Sequence, residues 1–498
     1  MITPLLPTPL ARPLYGTVKS RAIEQAALSV TAPHELMARA GLASARLAVA
    51  LAPHAQTIWI ACGPGNNGGD GLVAARWLHG LGKQVRLSLI GDAARLPSDA
   101  AEALQQAQAA GVPISNDLPA ANQDFDLAID ALLGLGVSRA VEGALGQAIA
   151  ALNALPCPVL ALDLPSGLSG DTGQALGALV VQAQHTLALL SLKPGLFTGS
   201  GRERAGRIWF DDLGITPSAP VDARLLGLDA CAHWMQPRRH GQHKGSFGDV
   251  IVLGGAPGMG GAARLAARAA HAAGAGRVYL SLLDEEATGL TDATRPELMT
   301  MAWRIAQTAD AMQHRTVVCG CGGGALVAQA LPALLALAPR LVLDADALNA
   351  IAADGSLQTL LSQRSAQGLH TVLTPHPLEA ARLLGSSTSE IQADRLAAAD
   401  HLSQRFQCIV VLKGSGSVIA SPGHTPAINS SGNAALATAG TGDVLAGWLG
   451  GLWAQETSTP ESGLAAASAA CHWHGLAADH GGRSLLRAAD LIEAMFAL

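Results

Sequence analysis

The chain has 498 residues, of which 49% are hydrophobic and 14% charged, with a formal net charge of −6. The length suggests two or three domains, and the apolar fraction supplies a large core, which excludes an intrinsically disordered chain. The acidic balance argues against a nucleic-acid protein, which needs a basic face, but leaves anionic small molecules open, because Gly-rich loops bind phosphate through backbone N–H groups.

The first residues, Met1 to Gly16, carry four prolines and no apolar run of the kind a secretory signal needs. Seven cysteines are scattered with no framework spacing, and Cys319 and Cys321 are too close for a zinc pair. They read as reduced, mostly buried thiols of a cytoplasmic protein. No stretch of about 18 apolar residues lacks charge, Gly and Pro, so the Ala-rich segments read as buried helices and no membrane partner is expected.

In chain order, short apolar runs alternate with helical Ala/Leu/Arg patterns. Strands are predicted at 57–62, 84–90, 125–130 and 158–163, with a Gly-rich turn after the first and a helix near 71–80. The pattern restarts past a polar stretch at 229–248, with strands at 250–253, 278–282, 316–319, 341–343 and 409–412. Helices are predicted at 262–273 and 444–453. Such alternation predicts parallel sheets covered by helices on both faces. The domain boundary is expected between residues 215 and 240, giving domains 1–225 and 226–498. The motifs of the halves differ, so no duplication is read.

The first constellation is Gly63-Pro64-Gly65-Asn66-Asn67-Gly68-Gly69-Asp70-Gly71, between a strand and a helix. Open α/β sheets bind ligands at such places, and a helix N-terminus there attracts phosphate. It lacks the Lys-Ser/Thr pair of a Walker loop and departs from the dinucleotide fingerprint. Asp130 and Asp163 each close an apolar run, which puts both carboxylates at the carboxyl edge of the sheet, ahead of Gly134-Leu135-Gly136 and Pro165-Ser166-Gly167. One strand-end aspartate is ordinarily a turn former, but three Gly-rich exits together point to one shared site.

These motifs, spread over roughly residues 15–215, resemble the NAD(P)H-hydrate epimerase family. The resemblance implies a Rossmann-like three-layer αβα domain that binds a hydrated nicotinamide nucleotide. Asn66, Asn67, Gly68, Gly69 and Asp70 would line the phosphate and ribose, and Gly134, Leu135, Gly136, Val137, Ser138, Arg139 and Ala140 would close the other side. It further implies K+ held by Asn67, Asp130 and Ser166, whose oxygen donors suit a hard cation. Asp163 would be the acid/base. The chain departs from the family pattern at Leu135, where Thr is common, and at Val137-Ser138-Arg139.

The second constellation centres on Gly440-Thr441-Gly442-Asp443 before a predicted helix. Successive N–H groups there form an anion nest, and an aspartate in that turn can deprotonate a hydroxyl as it attacks phosphorus. Alone the turn would be an ordinary helix cap. It is accompanied by Lys413-Gly414 at a strand exit and by Thr374-Pro375-His376-Pro377, where two prolines hold a histidine rigidly. Further motifs are Arg295-Pro296-Glu297-Leu298-Met299, Gly320-Cys321-Gly322 and Asp344-Ala345-Asp346.

This half, roughly 235–495, resembles the ADP/ATP-dependent NAD(P)H-hydrate dehydratases of the ribokinase-like family. The resemblance implies hydrate contacts at Ala262, Gly322, His376 and Asp443. It implies nucleotide contacts at Lys413, Gly414, Ser415, Gly416, Ser417 and Gly442, with Asp443 catalytic and Mg2+ on the phosphates. The fused architecture favours ADP as co-substrate, with ATP possible. Together the halves imply epimerisation of the R and S hydrates and dehydration of the S hydrate, giving NAD(P)H, AMP and phosphate, by a protein that forms a homo-oligomer. The rival reading is a small-molecule kinase whose first domain is regulatory.

Overall fold

The computed structural model describes residues 2–120, 123–287, 291–482 and 485–498. The chain forms two compact units that divide between Ala223 and Arg224, and the early segment Thr8–Arg12 groups with the second unit. That segment is tied there by backbone bonds from Leu228 N to Thr8 O (3.0 Å) and Asp229 N to Pro9 O (3.1 Å). Ala11 N also donates to Asp229 Oδ2 at 3.2 Å.

The first unit is built on an eight-stranded sheet in the order Thr3–Pro4, Arg207–Asp211, His185–Leu189, Val159–Leu162, Leu127–Ala131, Thr57–Cys62, Gln84–Leu89, Ile114–Ser115. All pairs are parallel except Thr3–Pro4 with Arg207–Asp211. The central strands are buried almost throughout, which is why they read as continuous apolar runs rather than alternating ones. Register pairs Ala61 with Asp130 and Asp130 with Ala161, so the strand exits converge at one edge. The strands His185–Leu189 and Arg207–Asp211 extend the sheet beyond those foreseen.

The motif 66–70 is not a loop: the helix Asn66–Gly80 begins within it. Its glycines let that helix lie directly on the strand exits. A Cβ on Gly68 would stand 2.0 Å from Gly63 O, and one on Gly71 2.6 Å from the Ala131 Cβ. The signature is therefore a packing requirement as well as a backbone donor array.

The second unit carries an eleven-stranded sheet in the order Met299–Thr300, Arg277–Leu282, Asp249–Gly254, Arg315–Cys319, Arg340–Leu343, His370–Leu373, Ile409–Leu412, Val418–Ala420, Ala427–Ile428, Ala223–Leu225, Arg12–Leu14. From Met299–Thr300 to Ile409–Leu412 the pairing is parallel; Val418–Ala420 pairs antiparallel on both sides. The parallel sheet matches the expectation, and the hairpin after Leu412 adds antiparallel strands to it. Aromatics being scarce, helices here pack by close approach of small residues. On the helix Thr441–Ala454 a Cβ at Gly447 would lie 2.0 Å from Ala266 O, and one at Gly451 2.3 Å from Ala270 O, both on the helix Gly260–Ala272.

Candidate active sites

The first unit holds a cavity of about 410 Å³ lined by Asn66, Asn67, Asp70, Gly134, Leu135, Gly136, Val137 and Asp163, among others. Gly134 sits between two of these residues, its Cβ direction 3.6 Å from Asn67 Cγ and 3.6 Å from Asp163 Oδ2. Ser138, Arg139 and Ala140 are exposed and do not line the cavity. Asp163 follows the strand Val159–Leu162 at φ +66°, a left-handed conformation uncommon outside glycine.

Asp163 Oδ1 accepts from the Lys193 ammonium and from Leu189 N (3.3 Å). Lys193 is almost fully buried, and its Nζ also donates to Leu189 O at 2.9 Å. Sequence reasoning missed Lys193; the available signal was a lysine inside the apolar run Leu190-Ser191-Leu192-Lys193-Pro194, just past a strand end. It also missed Glu24, which reaches the same cavity from the helix Thr17–Val30. Burial, then the charge of Asp163, raises the Glu24 carboxyl above its ordinary range. The same influences with Glu24 added push Asp70 well upward.

Asp130 and Ser166 are buried and are not among the residues that line the cavity. Ser166 Oγ donates to Asp130 Oδ1 at 2.6 Å and Ser166 N to Oδ2 at 2.8 Å. Burial nevertheless moves the Asp130 carboxyl up to about 6. Asn67, 9% exposed, has both Oδ1 and Nδ2 buried with no hydrogen-bond partner. An unsatisfied buried amide costs about 1–3 kcal/mol, so its oxygen fits a donor waiting for a ligand. With the Asp130 carboxylate and the Ser166 oxygens, the donor set is all hard oxygen, as an alkali cation requires.

The second unit gathers Asp344, Lys413, Gly442 and Asp443. Asp344 Oδ1 accepts from Lys413 Nζ at 2.6 Å and from Thr374 Oγ1 at 2.8 Å. A Cβ on Gly442 would lie 3.3 Å from Lys413 Nζ, so the turn closes directly on the lysine. Asp344, Asp443 and Cys321 bring ligand atoms within 4.8 Å of one another. Burial alone would depress the Lys413 ammonium, but Asp344 and Glu379 outweigh it and the net direction is upward. Burial, with Asp344 beside it, moves Asp443 up to about 6. His474, buried and pushed down to about 4 by that burial, contacts Thr441 O at 2.9 Å and so braces the turn as a neutral group.

Asp443 lies in the first turn of the helix Thr441–Ala454, as the motif requires. Gly322 and Ala262 are neighbours, a Cβ at Gly322 falling 3.0 Å from the Ala262 Cβ. The loop after Lys413 is supported from beneath by buried Arg395, whose Nη2 donates to Leu412 O (3.1 Å) and Lys413 O (3.2 Å). Gly414, at φ +144°, could not carry a Cβ without meeting that guanidinium at 2.8 Å. Gly414 and Ser415 are exposed, Gly416 is buried and Ser417 intermediate. His376 caps the helix Pro377–Leu384: its Nδ1 accepts from Leu378 N (3.1 Å) and Glu379 N (3.3 Å), a local duty that its flanking prolines did not announce. Asp344 was quoted in a motif without a role, and it is the pivot of the cluster.

Residues 33–195 match the family described as YjeF-related protein N-terminus, and residues 250–493 match NAD(P)H-hydrate dehydratase. The bifunctional NAD(P)H-hydrate repair enzyme Nnr of Escherichia coli (strain K12) is 38% identical over 452 residues, covering 90% of this chain and 85% of its own length. The chain belongs to the bifunctional NAD(P)H-hydrate repair enzymes. The repair enzyme of the same name from Coxiella burnetii is 37% identical, covering 96% of this chain and 97% of its own. Among solved structures, the ADP/ATP-dependent NAD(P)H-hydrate dehydratase from Bacillus subtilis, co-crystallized with ATP/Mg2+, covers 52% of this chain and 92% of its own at 30% identity, with a TM-score of 0.45. In this repair enzyme the two matched segments fall in different compact units, each a sheet flanked by helices.

Proposed function

We propose that an N-terminal domain, residues 1–225, epimerises hydrated NADH and NADPH, and that a C-terminal domain, 226–498, dehydrates the S hydrate with ADP. The observation that carries the division is that one chain holds two different carboxylate–lysine sites. Asp163–Lys193 lies in a cavity at a sheet edge, and Asp344–Lys413 meets the phosphate-type turn at Asp443.

In the second unit, hydroxide on the hydrated ring is a poor leaving group, so it is first phosphorylated. Asp443, in its ionised form, takes the hydroxyl proton as the oxygen attacks the β-phosphorus of ADP. AMP departs, phosphate then leaves the ring carbon, and loss of a ring proton restores NAD(P)H. The Gly442 turn and the Lys413 ammonium receive the phosphates, while Gly414, Ser415, Gly416 and Ser417 hold the rest of the nucleotide. Ala262, Gly322 and His376 would form the wall against the hydrate. Bound Mg2+ supplies charge screening on the phosphates. ATP serves the same geometry, one phosphate longer.

In the first unit, Asp163 serves as acid/base at the hydrated carbon. Asn66–Asp70 would hold phosphate and ribose, Gly134–Val137 the opposite side, with Ser138, Arg139 and Ala140 closing over bound nucleotide. The orphaned Asn67 amide supports K+ at Asn67, Asp130 and Ser166, where the ion supplies charge neutralisation. All seven cysteines are free and no helix among the described residues is long and apolar enough to cross a membrane. The free cysteines support a reducing, cytoplasmic setting, and a homo-oligomer of the chain is part of the same proposal.

The test uses purified S hydrate. The full chain with ADP should release AMP, phosphate and reduced nicotinamide in equal amounts, and Asp443→Asn should stop all three. Consumption of nucleotide without recovery of reduced nicotinamide would favour the kinase alternative instead.

A further inference from the structure

Epimerisation at a carbon bearing both a hydroxyl and the ring nitrogen has a defined proton balance. The hydroxyl leaves as water after taking one proton, the C–O bond breaks, and the nitrogen lone pair forms a C=N+ bond. Water then adds from the other face and gives up one proton. No proton is gained or lost overall, but the water leaves from one face of the ring and adds at the other, so a proton donor is needed on one face and an acceptor on the opposite one. Asp163 alone, ion-paired with Lys193, meets half of that requirement.

We propose that Glu24 is the second proton-transfer group of this site: the acid that protonates the departing hydroxyl while Asp163 accepts the proton of the incoming water. The inference rests on the assignment of Asp163 as acid/base. Glu24 and Asp163 line one cavity but come from different elements, the helix Thr17–Val30 and the sheet edge. That helix is fixed onto the segment bearing Lys193. Tyr15 N donates to Leu192 O at 2.8 Å, and the buried Ser20 and Ser191 hydroxyls share a 2.9 Å hydrogen bond. Glu24 lies four residues after Ser20, so it projects from the same helix face, toward the cavity. Asn66 lines the same cavity.

The charged groups around Glu24 are Arg21 on its own helix, Asp163 and Lys193 at the sheet edge, and Asp70 on the helix Asn66–Gly80. The Lys193 ammonium is already committed to Asp163 and Leu189 O. Burial and the Asp163 charge favour the protonated form of Glu24. Two carboxyl groups held in opposite protonation states serve sugar hydrolysis at a comparable oxygen-substituted ring carbon.

The experiment follows conversion of R hydrate to S hydrate by the full chain, using Glu24→Gln, Glu24→Asp and Asp163→Asn. Glu24→Gln should lower kcat about 100-fold or more, change KM little, and remove the alkaline limb of the pH profile, where loss of the acid's proton limits the wild type. Glu24→Asp should recover part of the rate. The thermal unfolding transition of the same variants, read by circular dichroism, reports that the first unit is folded. Wild-type epimerisation by Glu24→Gln with Asp163→Asn inactive overturns this inference and leaves the Asp163 assignment standing. Full activity in both variants overturns the assignment beneath it.

Discussion

Asp443 and Lys413 show how single side chains here are tuned by burial and by one neighbour. As the proposed base, Asp443 would have to be ionised to accept a proton, and its carboxyl stands near 6 through burial and the adjacent Asp344. Dehydratase kcat/KM should therefore fall as the pH drops through about 6, and recover above it. A pH–rate profile checks this, and an activity flat from pH 5 to 8 contradicts it. Lys413 is the partner of Asp344, which is 2% exposed. Replacing Lys413 by Met strands a buried carboxylate, so denaturant unfolding should show a loss of about 3–5 kcal/mol. Of these residues, those with a motif were legible in the sequence: Asp443 before its helix, Asp163 at a strand end. Lys193 and Glu24 were not read: both reach the cavity through packing of distant segments, Lys193 marked only by its place in an apolar run and Glu24 by no local pattern. His376 was legible as rigidly held, but its ring nitrogen is engaged in capping a helix.

At the scale of elements, the parallel strands were readable because burial on both faces leaves continuous apolar runs. Thr57–Cys62 and Ile409–Leu412 fall where the pattern put them. The short antiparallel strands Val418–Ala420 and Ala427–Ile428 were not read, since a few residues give no periodicity. The start of the helix Asn66–Gly80 was read too late, because glycine and asparagine suggest a turn when tertiary contact decides otherwise. That contact is tight. Gly68→Ala would drive a Cβ into Gly63 O at 2.0 Å, so epimerase activity and stability should fall together, by about 1–3 kcal/mol in unfolding free energy. Gly447→Ala should act likewise on the second unit, as its Cβ meets Ala266 O at 2.0 Å. Because the same helix begins with Thr441-Gly442-Asp443, its displacement should also reduce dehydration, which activity assays on the folded fraction measure.

At the scale of the whole molecule, Thr8–Arg12 belongs to the second unit although the chain on both sides of it, Met1–Pro7 and Pro13–Ala223, belongs to the first. No composition shift marks such an exchange. A fragment spanning 224–498 lacks three hydrogen bonds to that segment, at about 1 kcal/mol each. It should retain dehydration of S hydrate but melt below a fragment that has residues 8–12 restored by a linker. Equal melting temperatures would show the segment to be dispensable.

The central claim is that one chain salvages both epimers of a hydrated cofactor. The direct measurement is recovery of reduced-nicotinamide absorbance from a mixture of R and S hydrates with ADP and Mg2+. The full chain should convert the whole mixture, Asp163→Asn should stall once the S hydrate is spent, and Asp443→Asn should recover nothing. Absence of recovery by the full chain, or complete rapid recovery by Asp163→Asn, would contradict the account.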